Sequence, residues 1–179
     1  MVGSVELCIF VNMKNVIFFL FVVFLSAVSC RSENPDDIRR IDQVLNIYID
    51  SLGQDMLDNT LPGSYIAVTL NDVDGLTDNA PVQTSLKKDD ANIYFLQYTA
   101  GARRILVETL PGNTEIYRSR IALNLRKQLN DSVQSVTNDT LVLNYTLTPQ
   151  VFEISTAFYN GVPVFSKTPG APNVIKINK

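Results

Sequence analysis

The hydrophobic pattern separates a short apolar leader from a longer region in which apolar and polar residues alternate. The leader contains one unbroken apolar run, Val16–Leu25. Later in the chain, every second residue is apolar in Leu141–Leu147, and Phe152–Phe158 alternates in the same way. A period of two is typical of strands with one buried face. Because Asn160-Gly161 lies between two apolar runs, we predict a tight hairpin there.

Further strands are predicted wherever β-branched and aromatic residues lie between turn signals. Ala100-Gly101 favours a hairpin between two of these strands, and Pro163 places another at a sheet edge or a bulge. The predicted strands are Ser64–Leu70, Val82–Leu86, Asn92–Tyr98, Arg104–Thr109, Val162–Lys167 and Asn173–Asn178.

One helix is predicted ahead of these strands. Asn34 is a suitable N-cap, Pro35 suits the first helical position, and Asp36 and Asp37 lie where the helix dipole favours negative charge. Apolar residues then recur at every third or fourth position until Gly53 ends the pattern. We expect this apolar stripe to pack on the sheet. It consists of Ile38, Ile41, Leu45, Tyr48 and Leu52.

Residues 114–129 fit two interpretations. As a helix, Tyr117, Ile121, Leu125 and Leu129 are spaced by four; as a strand, odd positions from Tyr117 to Leu125 alternate with polar neighbours. The β-rich surroundings favour a strand for the first half. We therefore expect residues 35–179 to form one mainly β domain, an antiparallel sandwich or partly open barrel with one N-terminal helix. A helix at 114–129 would make the fold α+β.

The leader has the three parts of an export signal. Lys14 follows Met13, the apolar run comes next, and small residues precede Cys30. With its flank the run has about 13 apolar residues, whereas a bilayer-spanning helix needs about 20. Cleavage is therefore favoured over a permanent membrane helix. We interpret Met13 as the true start and residues 1–29 as a signal peptide.

The end of the leader, Ala27-Val28-Ser29-Cys30, resembles the lipobox of bacterial lipoproteins. Ser29 has the small side chain expected before the cysteine, whereas Ala27 stands where that family prefers Leu. The resemblance implies that Cys30 receives a diacylglycerol and begins the mature protein, with residues 30–34 as a lipidated tether. It also implies a lipid-anchored location in the cell envelope, at the outer membrane or the cell surface.

The cysteine count favours lipidation over a soluble secreted form cut near Ala27 or Ser29. The chain has two cysteines, and Cys8 lies within the leader. Cys30 would then be the only thiol of the mature protein. An unpaired cysteine in an exported protein needs an explanation, which lipidation supplies.

Composition narrows the function classes further. The chain has no histidine, so Ser-His-Asp and Cys-His nucleophiles and His-ligated zinc are excluded. The formal net charge is −3, which gives no reason to expect nucleic-acid binding. No motif indicates a cofactor. The acidic loop at residues 71–79 could attract calcium, but it does not fit the EF-hand register, and a solvated turn is favoured.

Two sets of side chains are candidate ligand contacts. If 116–125 is a strand, Arg118 and Arg120 share one face and could bind an anionic ligand or membrane headgroups. The alternative is a charged outer face that discourages aggregation. Tyr94 and Tyr98 could stack on sugars or peptides, although core packing is the simpler role for the aromatic residues of this region.

We therefore expect a non-catalytic envelope lipoprotein, a binding or structural module held through Cys30, with an unidentified protein or glycan partner. One alternative is a carboxylate-based enzyme acting on a glycan, which needs two carboxylates about 5–10 Å apart in a cleft. Another is a carrier of an apolar ligand inside a barrel. The candidate carboxylates are Asp89, Asp90, Glu108, Glu115 and Glu153.

Overall fold

The computed structural model describes residues 39–179, in which the chain forms two β-sheets and no helix. The predicted signal peptide, the lipidation site Cys30, the tether and residues 35–38 of the predicted helix lie outside the described residues. Thirteen strands follow in order: β1 (Arg40–Asp42), β2 (Leu45–Ser51), β3 (Gln54–Asp55), β4 (Tyr65–Asp72), β5 (Pro81–Val82), β6 (Thr84–Lys88), β7 (Tyr94–Tyr98), β8 (Ile105–Leu110), β9 (Thr114–Asn130), β10 (Val133–Leu147), β11 (Val151–Tyr159), β12 (Val162–Ser166) and β13 (Asn173–Asn178).

The large sheet is built around the long β9–β10 hairpin. Its strand order is β1-β11-β10-β9-β4-β5, with β12 also paired to β11 and β8 also paired to β9. All these pairs are antiparallel except β1 with β11. The small sheet has the order β13-β2-β7-β6, with β3 beside β2, and β13 runs parallel to β2. The mainly β class and the sandwich or partly open barrel predicted from the sequence are confirmed.

The core lies between the two sheets and is made by alternate residues of the long strands. Ile121, Leu123 and Leu125 of β9 are essentially inaccessible to solvent, and so are Leu141 and Leu143 of β10. The small sheet contributes inward side chains of the same kind. These are Leu45, Ile47, Ile49, Leu96, Tyr98, Ile175 and Ile177. Period-two alternation of this kind buries one face of each sheet.

A partly buried ion pair closes the loop before the last strand. The Nζ of Lys167 donates to Oδ2 of Asp42 at 2.7 Å and to Oδ1 of Asn173 at 2.8 Å. Asn173 in turn donates to Asp42 at 2.9 Å. The hydrogen bond from Lys167 holds the pKa of Asp42 below its ordinary value, with Asn173 acting in the same sense and burial opposing both. These contacts join β1 of the large sheet to β13 of the small one.

The predicted N-terminal helix is wrong for the described residues. Residues 40–42 and 45–51 are strands, and Leu45, Ile47 and Ile49 point into the core. Tyr48 points to the opposite face, where its ring lies 5.3 Å from that of Phe95. The three-and-four spacing omits Ile47 and Ile49. The alternation of residues 45, 47 and 49 includes both and fits a strand between β13 and β7.

The hairpin predicted at Ala100-Gly101 is also wrong. The chain crosses there from β7 in the small sheet to β8 in the large sheet, and Gly101 adopts a φ of 130°. In contrast, residues 114–129 lie within one strand, as the alternation favoured for their first half. The Asn160-Gly161 hairpin is confirmed, and both residues have positive φ, as a two-residue type I′ turn requires.

Candidate functional site

The most distinctive feature of the described domain is the distal part of the β9–β10 hairpin, Gln128–Asn138, which we term the arm. Side chains of the arm are exposed except for the half-buried Ser135, whereas those of the inner hairpin alternate between buried and half-exposed. β11 joins β10 only from Leu141 onward. Within residues 39–179, the β10 half of the arm therefore has a single neighbouring strand, β9.

The arm lies at the opposite end of the large sheet from the start of β1. Arg40 begins β1 by donating its backbone N–H to the carbonyl of Gln150 at 2.9 Å. β1 runs parallel to β11, and two antiparallel steps then make it run with β9. At about 3.3 Å per residue, β9 extends for roughly 50 Å from the end at which β1 starts.

A hydrogen-bonded cluster marks the base of the arm. Asp139 is buried, and its carboxylate accepts from the Tyr159 hydroxyl at 2.5 Å, from Asn160 at 2.8 Å and from the Nζ of Lys179. Burial raises the pKa of Asp139, but the hydrogen bonds from Lys179, Tyr159 and Asn160 outweigh it and leave the pKa below its ordinary value. Lys179 follows β13, so this cluster ties the small sheet to the large one.

Arg118 and Arg120 lie together on the exposed outer face of β9, as the strand interpretation of this segment implies. Arg120 forms a two-pronged ion pair with Asp74, and its Nε donates at 3.1 Å. This pairing lowers the pKa of Asp74. The neighbouring Asp72 accepts backbone N–H bonds from Asp74 at 2.9 Å and Arg103 at 2.6 Å. Arg118 is therefore the freer cation of the two candidates.

Tyr94 and Tyr98 lie on the other sheet, so the structure does not bring the two sets of candidates together. Tyr98 is completely buried, and its hydroxyl lies 3.2 Å from that of Tyr145. Burial raises its pKa. Tyr94 is half-buried and carries the ammonium of Lys88 4.3 Å above its ring. Tyr98 is thus a core residue, and Tyr94 alone keeps an accessible ring.

The candidate carboxylates fall into two groups, one on each sheet. Asp89 holds the β6–β7 turn by accepting the backbone N–H groups of Ala91 and Ile93. Glu115 accepts from the Tyr117 hydroxyl at 2.5 Å. Glu153 lies 3.6 Å from Arg40. Asp90 follows Asp89 in the same turn, and Glu108 is exposed on β8. Glu108, Glu115 and Glu153 come from β8, β9 and β11 at the same end of the large sheet, and Asp89 and Asp90 lie in a turn of the small sheet.

Three clefts between described residues are small or open. One of about 220 Å³ lies between β4 and β6 over Leu57 and Leu96, and another of about 160 Å³ is bordered by Tyr48, Tyr94 and Lys176. Small-molecule sites usually enclose 300–1,000 Å³. A larger depression of about 520 Å³ beside the acidic loop is open to solvent. None of these three clefts is both large and enclosed.

The structure also places a half-buried cation, Arg104, against two aromatic rings. The guanidinium carbon of Arg104 lies 5.4 Å from the ring centre of Tyr145 and 5.0 Å from that of Phe152. Its Nη2 donates to Gln43, while its Nε is buried without a hydrogen-bond partner. Nothing in the local sequence distinguishes Arg104 from Arg103, because the distinction depends on rings supplied by β10 and β11.

Comparisons with known proteins give no relative: no family model, no curated protein and no solved structure matches the chain. Among residues 39–179, no group of three or more acidic or cysteine side chains is placed to hold a metal ion. No helix in this part of the chain is long and apolar enough to cross a bilayer.

Proposed function

We propose that the chain is a cell-envelope lipoprotein, a non-catalytic binding or structural module anchored through a lipid on Cys30. The observation that carries this proposal is that the first described strand and the exposed arm lie at opposite ends of the large sheet. A chain anchored ahead of β1 would therefore present the arm away from its anchor.

The dimensions fit this arrangement. Residues 30–38 would span at most about 32 Å when fully extended. The long hairpin reaches roughly 50 Å from the start of β1. Two or three acyl chains on Cys30 would hold such a protein stably, since one chain alone binds a membrane weakly.

A non-catalytic role is supported by what the described side chains are already doing. The chain has no histidine, and Asp89, Glu115 and Glu153 are each engaged by a different partner. Glycosidases need two carboxylates facing one cleft. The exposed surface of the arm suits contact with a macromolecule or a polymer better than conversion of an enclosed small molecule.

The test is intact mass and membrane partition of the chain expressed with its leader in bacteria. We expect a mature N-terminus at Cys30 with added acyl mass, and loss of both the acyl mass and membrane attachment in Cys30→Ala. Cys8→Ala is the matched control and should behave as the wild type. An unmodified N-terminus elsewhere, or a membrane-bound Cys30→Ala protein, would overturn the proposal.

A further inference from the structure

The β10 edge of the arm offers unpaired backbone groups. Gln134–Asn138 pairs with β9 on one side and with no described strand on the other. At the base of the arm, Asn160 ends the pairing, since its N–H and its side-chain oxygen both bond the backbone of Thr140 at 2.8 Å. From Asp139 toward the tip, alternate N–H and C=O groups of β10 therefore face solvent, which makes a template for another strand.

Other free edges of the described sheets carry features that discourage such pairing. β12 contains Pro163 and a register shift, β6 carries Lys87 and Lys88, and β5 begins with Pro81. Lysine, proline, bulges and very short strands are the usual protection of sheet edges. Gln134–Asn138 has no charge and no proline, and the register shift of β10 against β9 falls at its start, between Val133 and Gln134, after which the register is regular. Its exposed edge is unprotected in a protein that protects others.

This stretch is also complementary to itself. If a second copy is aligned antiparallel about Val136, the two Val136 side chains face each other on the outer face. Gln134 then lies opposite Asn138 of the other copy, and Ser135 lies opposite Thr137. In this register an apolar side chain faces an apolar one, an amide faces an amide and a hydroxyl faces a hydroxyl. No two like charges are paired. Cross-strand pairs of this type stabilise a sheet.

The side-chain hydrogen bonds sharpen this match. Gln134 donates its Nε2 to Gln128 at 3.0 Å, which leaves its Oε1 available as an acceptor. Asn138 accepts the Nδ2 of Asn124 on its Oδ1 at 2.8 Å, which leaves its own Nδ2 available as a donor. In the antiparallel register, the available donor of Asn138 lies opposite the available acceptor of Gln134 of the second copy, on both sides of the axis.

We propose that two copies of this chain associate through Gln134–Asn138, joining their arms into one continuous antiparallel sheet about a two-fold axis at Val136. The contact is isologous, so each copy uses the same edge and the assembly closes as a dimer. A single pair of short strands buries little surface, and the dimer is therefore weak and concentration-dependent. This inference does not depend on lipidation.

The experiment uses the full chain without native thiols, with Cys8→Ala and Cys30→Ala, and one introduced cysteine. Val136→Cys places two thiols directly across the axis, where a disulfide can form. Val162→Cys is the matched control, since Val162 is also exposed on an edge strand, at 61% against 52% for Val136. We expect Val136→Cys to form the disulfide dimer at least about 10-fold faster, on non-reducing gels.

Sedimentation velocity supplies the second measurement. At protein concentrations up to about 100 µM, the cysteine-free chain should show a monomer–dimer equilibrium. Val136→Lys sets two like charges opposite each other and should raise the dimer dissociation constant at least about 10-fold. Val162→Lys should leave that constant unchanged. A chain that stays monomeric throughout this range, or equal crosslinking rates for the two cysteine variants, would overturn the proposal. The free edge would then be left to a strand of a different protein.

Discussion

The inner and outer halves of the β9–β10 hairpin belong to the same two strands but differ in the exposure of their apolar side chains. In the inner half, Leu123, Leu125, Leu141 and Leu143 have 0–1% of their surface exposed. In the arm, Leu129 and Val136 are 59% and 52% exposed. The backbone pairing of β9 with β10 continues through both halves. Strand pairing therefore does not decide where the core ends.

What differs is the set of neighbours. β11 and the small sheet cover the inner half, and their coverage stops where Asn160 and Lys179 bond the Thr140 backbone and the Asp139 side chain. Beyond that boundary an apolar side chain loses the burial that would stabilise it. The comparison shows that two paired strands can extend past the hydrophobic core of a domain and remain paired while both are exposed to solvent.

The largest expected difference between the two halves is the cost of losing an apolar side chain. Leu143→Ala should lower the free energy of unfolding by about 2–5 kcal/mol, because the cavity cannot fill with water or collapse fully. Val136→Ala should change it by less than about 0.5 kcal/mol, because Val136 is exposed. Urea denaturation measures both. Comparable losses at the two positions would mean that the arm is packed against something in the native protein.

Asp139, at the boundary, should show a smaller effect that depends on pH. Asp139→Asn should cost about 1–3 kcal/mol at neutral pH, because Lys179 and Tyr159 lose a charged acceptor. The pKa of Asp139 is lowered in the folded state, so its stabilisation is present above the unfolded-state value of about 3.9 and is lost as pH falls through the folded value.

Unfolding measured from pH 7 down to pH 2.5 checks this sign. The stability gap between the wild type and Asp139→Asn should narrow below about pH 4. Asp42, whose pKa is also lowered by its partners, should contribute in the same direction, so Asp42→Asn serves as a parallel variant away from the arm. A gap that stayed constant down to pH 2.5 would show that the Asp139 carboxylate is not stabilised as an anion.

A small effect is also expected from removing the tip of the arm. Replacing residues 128–134 with Asn-Gly joins Lys127 to Ser135, which already face each other in the ladder. Asn-Gly suits a two-residue hairpin. Stability should change by less than about 1 kcal/mol, since the removed residues are exposed and a shorter loop costs little entropy. A shortened chain that failed to fold would show that the arm is part of the folding unit.

Most of the strands could be predicted from the sequence because their alternation reflects one buried face. Ile121, Leu123 and Leu125 carry this signal clearly, and Asn160-Gly161 specifies its turn by conformation alone. These features are local. Each depends on residues close together in the chain, so no knowledge of the rest of the fold is required.

The N-terminal strands could not be predicted because two periodicities coexist there. Ile41, Leu45 and Tyr48 satisfy a helical stripe, and Leu45, Ile47 and Ile49 satisfy a strand. The parallel partner that decides between them, β13, lies more than a hundred residues away. Parallel pairing leaves no local turn signal, since its partners are distant in sequence.

The candidate site was even less predictable. Arg118 and Arg120 were placed on one face correctly once a strand was assumed, but the ion pair of Arg120 with Asp74 depends on the acidic loop. The free edge of Gln134–Asn138 is defined by where β11 ends, and nothing in the residues themselves records that. Burial of Tyr98 depends on the facing sheet, and the position of Arg104 depends on rings supplied by β10 and β11.

The parallel placement of β1 against β11 has a mechanical consequence. β1 and β9 point the same way, so a force between the start of β1 and the tip of the arm acts along the strands. Such a load shears the β1–β11 ladder, and the hydrogen bonds of that ladder resist it together rather than opening one after another. The domain is thus oriented to resist tension applied between the start of β1 and the tip of the arm.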